Sequence, residues 1–286
     1  MADVQPVITL LTDFGLADHY AAAMKGVILS INPDARIVDI SHEVQPQAVE
    51  EGAFMLEAVL PYFPKGTIHI AVVDPEVGGD RRGIVITTPD GFFVGPDNGV
   101  LSPALPDSAR PRHSRSVIKH ARLPAGYAAF SIDNPRYLRE PVSATFHGRD
   151  VFAPAAAHLA LGAPVESFGE RLASIEALPP FRAVHRRDGV LVGEVIHIDR
   201  FGNLVTDIRA DDLANGDVTV EIGRAVIHGL VRMYSESSDV AALIGSSGYL
   251  EIAAPLGNAA QLLEADLETL VTVRRVVVRL KRSQER

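Results

Sequence analysis

The chain has 286 residues, 47% of them hydrophobic, and a formal net charge of −9 with ten histidines counted neutral. The length suits two domains and the composition supplies a large core, while the acidic balance excludes a general nucleic-acid binder, which presents a basic face. There is no cysteine, which excludes disulfides, thiolate nucleophiles and cysteine metal sites. A cytoplasmic location is expected on that ground, with no membrane association, because no run of about 18 apolar residues occurs and Met-Ala-Asp-Val-Gln-Pro lacks the regions of a signal peptide.

Val7 to Thr12 reads as an apolar strand that ends at Asp13-Phe14-Gly15. Asp18 is placed to cap a helix, His19 to Ile31, which Asn32-Pro33 stops. Ala35 to Ile40 is a second strand, leaving Ser41 and His42 at its end. Gln47 to Tyr62 follows as a helix, with apolar Val49, Phe54, Leu56, Val59 and Leu60, closed by Pro61 and Pro64. The third strand, Thr67 to Val73, delivers Asp74. This β-α-β-α-β alternation predicts an α/β domain with a central, mostly parallel sheet. Asp13, Ser41 with His42, and Asp74 then share the rim where open parallel sheets bind ligands.

The loop Asp74-Pro75-Glu76-Val77-Gly78-Gly79-Asp80-Arg81-Arg82-Gly83 is the most informative stretch. Pro75 pushes Asp74 toward an extended conformation, and the paired glycines allow a turn or a close approach to a ligand. An acid after a strand also serves as a helix cap or as half of a solvated ion pair. Three polar clusters at successive strand ends argue for a site.

Gly83 to Thr88 and Phe92 to Gly95 read as a hairpin around Pro89-Asp90-Gly91, and Pro96-Asp97-Asn98-Gly99 as a turn into a short helix. Pro106 to Leu123 looks like an irregular, basic surface segment. Asp150 can cap a helix from Val151 to Leu161, which puts His147 just before a helix N-terminus, where a protonated imidazole is disfavoured. Leu178-Pro179-Pro180 marks a domain boundary, giving residues 1–180 and 181–286. Beyond it, Val190 to Ile198, Val218 to Ile222, Ala225 to Tyr234, Tyr249 to Ile252 and Leu270 to Leu280 read as strands. With one helical patch, Asn258 to Ala265, they predict a smaller, mainly β domain, and Arg282 to Arg286 form a charged tail.

No dinucleotide fingerprint, Walker A loop, HExxH or GxSxG elbow is present. The His and Asp spacing matches no metal pattern, so no metal is expected, although a metal-dependent phosphoesterase stays open. On residues alone the chain is a two-domain α/β protein with an acidic strand-end site for a polar small molecule.

Thr12-Asp13-Phe14-Gly15, Asp39-Ile40-Ser41-His42, Glu50-Glu51-Gly52-Ala53, Val72-Val73-Asp74-Pro75-Glu76-Val77-Gly78, Gly95-Pro96-Asp97-Asn98-Gly99, Phe146-His147-Gly148-Arg149-Asp150 and Phe201-Gly202-Asn203 occur in that order. Together they resemble the S-adenosyl-L-methionine hydroxide adenosyltransferase family, hydrolases related to the bacterial fluorinase and chlorinase. The resemblance implies hydrolysis of S-adenosyl-L-methionine to adenosine and L-methionine with no cofactor. It also implies a seven-stranded N-terminal α/β domain, a β-barrel-like C-terminal domain, and a homotrimer with sites between subunits. The family's catalytic Asp-Arg-His set falls on Asp74, Arg81 and His147, with Arg82 as the adjacent rival to Arg81. Asp13 resembles the carboxylate that holds the ribose hydroxyls, and Asp18 the partner of the methionine ammonium group. Ser246 falls where the methionine carboxylate is contacted, and Asn203 where the adenine edge is read. Phe201 and Tyr234 are expected to flank the adenine, Ala259 to offer it backbone groups, and Asp199 to lie near the methionine end.

Departures from the fluorinase pattern bear on the nucleophile. Asp74 and Val77 stand where the fluorinase has tyrosine and threonine, Gly148 where it has a halide-contacting serine, and Ser247 where it has an arginine. The fluorinase's long insertion after the third-strand motif is missing. A carboxylate at position 74 repels a halide ion, so water is the expected nucleophile. The alternatives are a halide-dependent adenosyl transferase and a non-catalytic adenosine or S-adenosyl-L-methionine binding protein.

Overall fold

The computed structural model describes residues 6–112, 117–213 and 218–275. The chain divides into two compact units, Met1–Pro180 and Phe181–Arg286.

The first unit runs β1 (Val7–Thr12), α1 (Tyr20–Ile31), β2 (Arg36–Ser41), α2 (Val49–Val59), β3 (Thr67–Val72), β4 (Gly83–Thr87), β5 (Gly91–Pro96), β6 (Lys119–Arg122), β7 (Ala128–Ser131), α3 (Ala153–Ala160), β8 (Arg171–Leu172) and β9 (Ser174–Ala177). Seven strands form one sheet in the order β2-β1-β3-β5-β4-β7-β8. The pairs β1–β2, β1–β3 and β3–β5 are parallel. From β5 onward, through β4 and β7 to β8, pairing is antiparallel. The sheet is therefore parallel in one half only. The sequence signals the parallel half through its alternating helices; the antiparallel half is joined by hairpins and irregular segments.

Every residue of β1 and β3 is buried, because helices cover both faces. The period-2 alternation sorts the side chains into two cores. Ile8, Leu10, Ile68, Ile70 and Val72 pack with Met24 and Ile28 of α1 and with α3. Leu11, Ala71 and Val73 pack with Leu56 of α2 and with Leu101.

The second unit contains β10 (Val184–His185), β11 (Leu191–Ile198), β12 (Leu204–Arg209), β13 (Val218–Ile222), β14 (Ala225–His228), β15 (Ala241–Ile244), β16 (Tyr249–Ala253), α4 (Ala259–Leu263) and β17 (Leu270–Arg275). Their order is β14-β13-β17-β11-β12-β16-β15, with β10 beside β11. The sheet is antiparallel and barrel-like. Alternate residues such as Leu191, Val195, Val218, Val220, Ile222, Val271 and Val273 fill its core.

Several local expectations change. Asp18 does not cap α1; His19 occupies the N-cap and makes no side-chain cap bond. Asp150 does not cap a helix either, because it lies inside a π-helical turn, Gly148–Phe152, that leads into α3. The segment after Pro106 is not simply surface. β6 pairs with β9, and Arg110 is buried, donating to Glu57 (2.8 Å) and to the carbonyls of Leu178 (3.1 Å) and Pro179 (2.8 Å). β12 and β15 are additional strands. Asp207 breaks the apolar run of β12, yet it is fully buried and accepts the Glu194 N–H at 2.8 Å. β14 stops at His228, and Tyr234 begins a 3-10 turn. The end of the predicted last strand, 276–280, and the charged tail lie outside the described residues, as does the start of the chain.

Candidate active site

The parallel strands β1, β2, β3 and β5 end on one rim, which carries Asp13, His42, Asp74 and Asp97 respectively. β4 runs the opposite way, so the residues just before it lie on that same rim. The register pairs Gly83 with Pro96, and the Asp97 N–H donates to the Arg82 carbonyl at 2.9 Å. Arg81 and Arg82 are thereby delivered beside the ends of β3 and β5. Successive residues of an extended chain point to opposite sides, and the two arginines take different partners. Arg82 binds Asp97 through Nε (3.0 Å) and Nη2 (2.5 Å). Arg81 binds Asp74 through Nε (2.9 and 3.0 Å to the two oxygens) and Nη2 (2.5 Å). The side chains of Arg81 and Asp74 are 5% and 4% exposed, so this is a buried, bidentate pair, the strong kind. Arg81 also lies 5.5 Å from the Phe152 ring centre. Asn98 donates to the Val73 carbonyl at 2.8 Å, which fixes the backbone immediately before Asp74.

His147 joins this pair from a segment far along the chain. Its Nδ1 lies 2.6 Å from Arg81 Nη2. Arginine has no acceptor, so Nδ1 accepts and the neutral ring carries its proton on Nε2. Burial pushes the imidazole below its ordinary value, and the Arg81 charge acts in the same direction against the opposing pull of Asp74 and Asp150. Asp74, Arg81 and His147 thus form one hydrogen-bonded chain in which His147 is neutral near pH 7. Asp150 holds the turn below His147. Fully buried, it accepts from Arg149 Nε (2.6 Å), the Ser143 N–H (2.9 Å) and Arg139 (3.3 Å). Burial alone raises its pKa, but those partners outweigh it and the net shift is downward. Gly78 lets the Asp74 loop meet this segment. Its φ is +79°, and a Cβ there would sit 2.1 Å from the Ala144 carbonyl oxygen, so only glycine fits.

Asp13 is held from β2's rim. Its Oδ2 accepts the Gln47 N–H at 2.8 Å, with Gln47 in the uncommon φ = 69° conformation. The Gly15 N–H donates to the His42 carbonyl at 2.7 Å. Thr12 Oγ1 accepts from the Phe14 N–H (3.2 Å) and lies 2.8 Å from His42 Nδ1. Thr12 is fully buried and its hydroxyl hydrogen has no other acceptor among the described residues, so it donates to Nδ1. His42 Nε2 then carries the proton and faces Asp39 Oδ1 at 3.2 Å, while Asp39 binds Lys25 at 2.5 Å. Burial raises the Asp13 pKa, the Gln47 bond opposes it, and the nearby Asp74 charge adds to the rise. Phe14 packs on Tyr20 and Phe146 with ring centres 5.9 and 5.7 Å apart, tying the Asp13 loop to the residue before His147. A Cβ on Gly148 would lie 3.2 Å from both Phe14 and Met24, so this wall is already close-packed. Asp18 is exposed in a bend before α1, and no contact ties it to the Asp74 group.

The second unit holds the remaining candidates. Asp199 organises its own loop: Oδ1 accepts the N–H groups of Phe201 and Asn203 at 2.9 Å each, and Oδ2 accepts Asn203 Nδ2 at 2.8 Å. Phe201 is thereby presented 74% exposed, whereas Asn203 is buried. Tyr234 donates its hydroxyl to Glu251 Oε1 at 2.5 Å, and that bond, with burial, pushes the phenol up to about 12. Ser246 is exposed in the turn between β15 and β16. Ala259 opens α4, which Asn258 caps by accepting the Gln261 N–H at 2.8 Å. The structure brings Asp74, Arg81 and His147 together and sets Asp13 near Asp74. Sequence reasoning missed Asn98, Asp150 and Glu251 as their supports. Among the described residues no group of three or more His, Asp or Glu side chains is arranged to hold a metal ion, and no helix is long and apolar enough to cross a membrane.

Comparison with known proteins matches this architecture in both units. Residues 8–169 match the SAM hydroxide adenosyltransferase N-terminal domain and residues 193–272 the C-terminal domain. An (R)-S-adenosyl-L-methionine hydrolase of Methanocaldococcus jannaschii is 36% identical over 92% of this chain and 94% of its own. One from Thermus thermophilus is 38% identical over 90% and 94%. A fluorinase of Nocardia brasiliensis is 33% identical over 73% of each chain. An uncharacterized conserved protein from Thermotoga maritima has a crystal structure that superposes with a TM-score of 0.82 at 35% identity, covering 94% of this chain and all of the other. With its Asp74–Arg81–His147 group assembled and both domains matched, the chain belongs to the SAM hydroxide adenosyltransferase family.

Proposed function

We propose that the protein hydrolyses S-adenosyl-L-methionine to adenosine and L-methionine. The observation that carries this reading is the buried chain Asp74–Arg81–His147 on the ligand-binding rim of the sheet; the hydrolase names of the relatives support it. Water attacks C5′ of the ribose as the C5′–S bond breaks. The bonding pair stays on sulfur, so methionine leaves as a neutral thioether and needs no acid. The water proton passes to Asp74, whose carboxylate is held by Arg81. His147 Nε2–H donates to the attacking oxygen and orients it, and Arg81 stabilises the hydroxide character that develops. Holding water in line with the C5′–S bond supplies a further share of the acceleration.

Asp13 takes the ribose hydroxyls in this reading. Asn203, Phe201, Tyr234 and Ala259 recognise adenine, and Asp18, Asp199 and Ser246 the methionine portion. The enzyme acts without metal or other cofactor, as a cytoplasmic homotrimer with sites between subunits. Size-exclusion chromatography with light scattering tests the trimer.

The deciding experiment incubates the protein with S-adenosyl-L-methionine in ¹⁸O-labelled water, with and without chelator and chloride. Adenosine carrying the label at O5′, in chelator-insensitive yield, is the expected product. A chloride-dependent chlorinated nucleoside would reassign the chain to halide transfer. Intact ligand held without turnover would reduce it to a binding protein.

A further inference from the structure

A cavity of about 450 Å³ opens at the opposite rim of the same sheet, where β3 and β5 begin. It lies within the first unit, away from Asp74. Phe63, Phe93, Tyr127 and prolines form its apolar walls, and His69 forms part of its lining. Among the described residues, the charged ones lining it are Lys65 and Asp90, which neutralise one another at 2.7 Å on exposed ground.

His69 is the unexplained group. It is 5% exposed, at a core-facing position of β3. Its Nδ1 lies 2.8 Å from Oγ1 of Thr9, its register partner on β1. Thr9 is completely buried, and His69 is the one partner its hydroxyl has among the described residues. A buried hydroxyl must donate, so Thr9 donates to Nδ1, and the histidine proton sits on Nε2. That Nε2–H has no acceptor among the described residues. The ring is fixed between Phe63, edge-on at 5.5 Å, and Phe93, tilted at 5.1 Å. Burial holds the imidazole down to about 4, so it stays a neutral donor at physiological pH.

We propose that this cavity binds an uncharged, planar heteroaromatic molecule of nucleobase size, which presents a hydrogen-bond acceptor to His69 Nε2. The aromatic and proline walls suit a flat apolar body, the paired charges at the lining leave no net charge to match, and a cavity of this volume falls in the range used by small-molecule sites. A site there would be separate from the substrate rim, so its occupant need not compete with substrate.

The test uses the full-length protein and three probes: isoquinoline, which offers only an acceptor; indole, which offers only a donor; and adenine, which offers both. Histidine-selective ¹⁵N NMR assigns His69 and is followed through each titration. Saturable movement of the His69 Nε2 resonance with isoquinoline and adenine, and affinity for indole about tenfold weaker, is expected. Calorimetry should show His69→Phe losing about tenfold in isoquinoline affinity, with His69→Gln, which retains an N–H donor, recovering most of it. If His69→Phe fails to fold, the NMR titration of the unaltered protein still decides. A His69 resonance unmoved by either acceptor probe up to its solubility limit would overturn the proposal and leave water as the partner of Nε2.

Discussion

The strand β1 carries a threonine toward each end of the sheet, and each hydroxyl meets a histidine ring at 2.8 Å. Locally the two pairs are alike: both histidines are buried, and both accept on Nδ1. Their second nitrogens differ. His42 Nε2 is enclosed 3.2 Å from Asp39 Oδ1, off line for a hydrogen bond but close enough for electrostatic attraction, and Asp39 is itself bound to Lys25, so the ring sits among polar groups behind the Asp13 loop. His69 lines a cavity, with no acceptor for its Nε2 among the described residues. A buried histidine whose second nitrogen is held beside a carboxylate works as a spacer between loops. One with a free donor in a hollow is a recognition element. The difference lies in what neighbouring elements bring to the second nitrogen, which burial and residue type do not reveal.

The largest effect that would sharpen the contrast belongs to the substrate rim. Asp74→Asn keeps shape but removes the carboxylate that takes the proton in the proposed mechanism, and adenosine formation should fall by about 10²–10⁴, measured by chromatography under single-turnover conditions. His69→Phe should leave that rate within about twofold. A rate loss as large as that of Asp74→Asn would erase the distinction between the two rims.

Next in size is the pH dependence of stability. An unfolded imidazole takes its proton near 6.5, whereas folded His69 resists until about 4. The unfolded state therefore binds the proton first, and stability falls as pH drops from about 6.5 toward 4, by about 3 kcal/mol from this group. Urea unfolding at several pH values should show that slope in the unaltered protein and a shallower one in His69→Phe. Equal slopes would mean that His69 does not titrate as its burial requires.

Smaller still are the two threonine substitutions, each about 1 kcal/mol in stability for the lost hydrogen bond. Thr12→Val should also loosen the Asp13 loop and raise KM for S-adenosyl-L-methionine several-fold with less change in kcat. Thr9→Val should lower stability alone. Matching kinetic effects from both would show that the two pairs are not functionally distinct.

Much of this arrangement is legible in the sequence. The alternation of strand and helix up to Val73 puts Asp13, His42 and Asp74 on one rim, because each follows the end of a predicted strand. The partner of Arg81 was accessible only through resemblance. Its physical basis is the reversed direction of β4, which hairpin signals alone do not connect to Asp74. The supports were hidden for a different reason. Asn98, Asp150 and Glu251 act through contacts fixed by strand register or by a π-helical turn, and a polar residue in a loop or strand carries no mark of its distant partner. Thr9 and His69 illustrate the limit: they are 60 residues apart, and only the pairing of β1 with β3 makes them neighbours.

The adjacency of Arg81 and Arg82 has a consequence for assembly of the chain. A one-residue slip of β4 against β5 in one sense would set Gly83 opposite Asp97 and leave that buried carboxylate without its cation; in the other sense it would hand Arg81 to Asp97 and bring Asp80 to Asp74. Two acids would then share one enclosed spot, an arrangement penalised by both repulsion and lost solvation. The Arg82–Asp97 pair thus acts as an error check on threading: a misaligned hairpin is rejected by charge, and Arg81 arrives at Asp74.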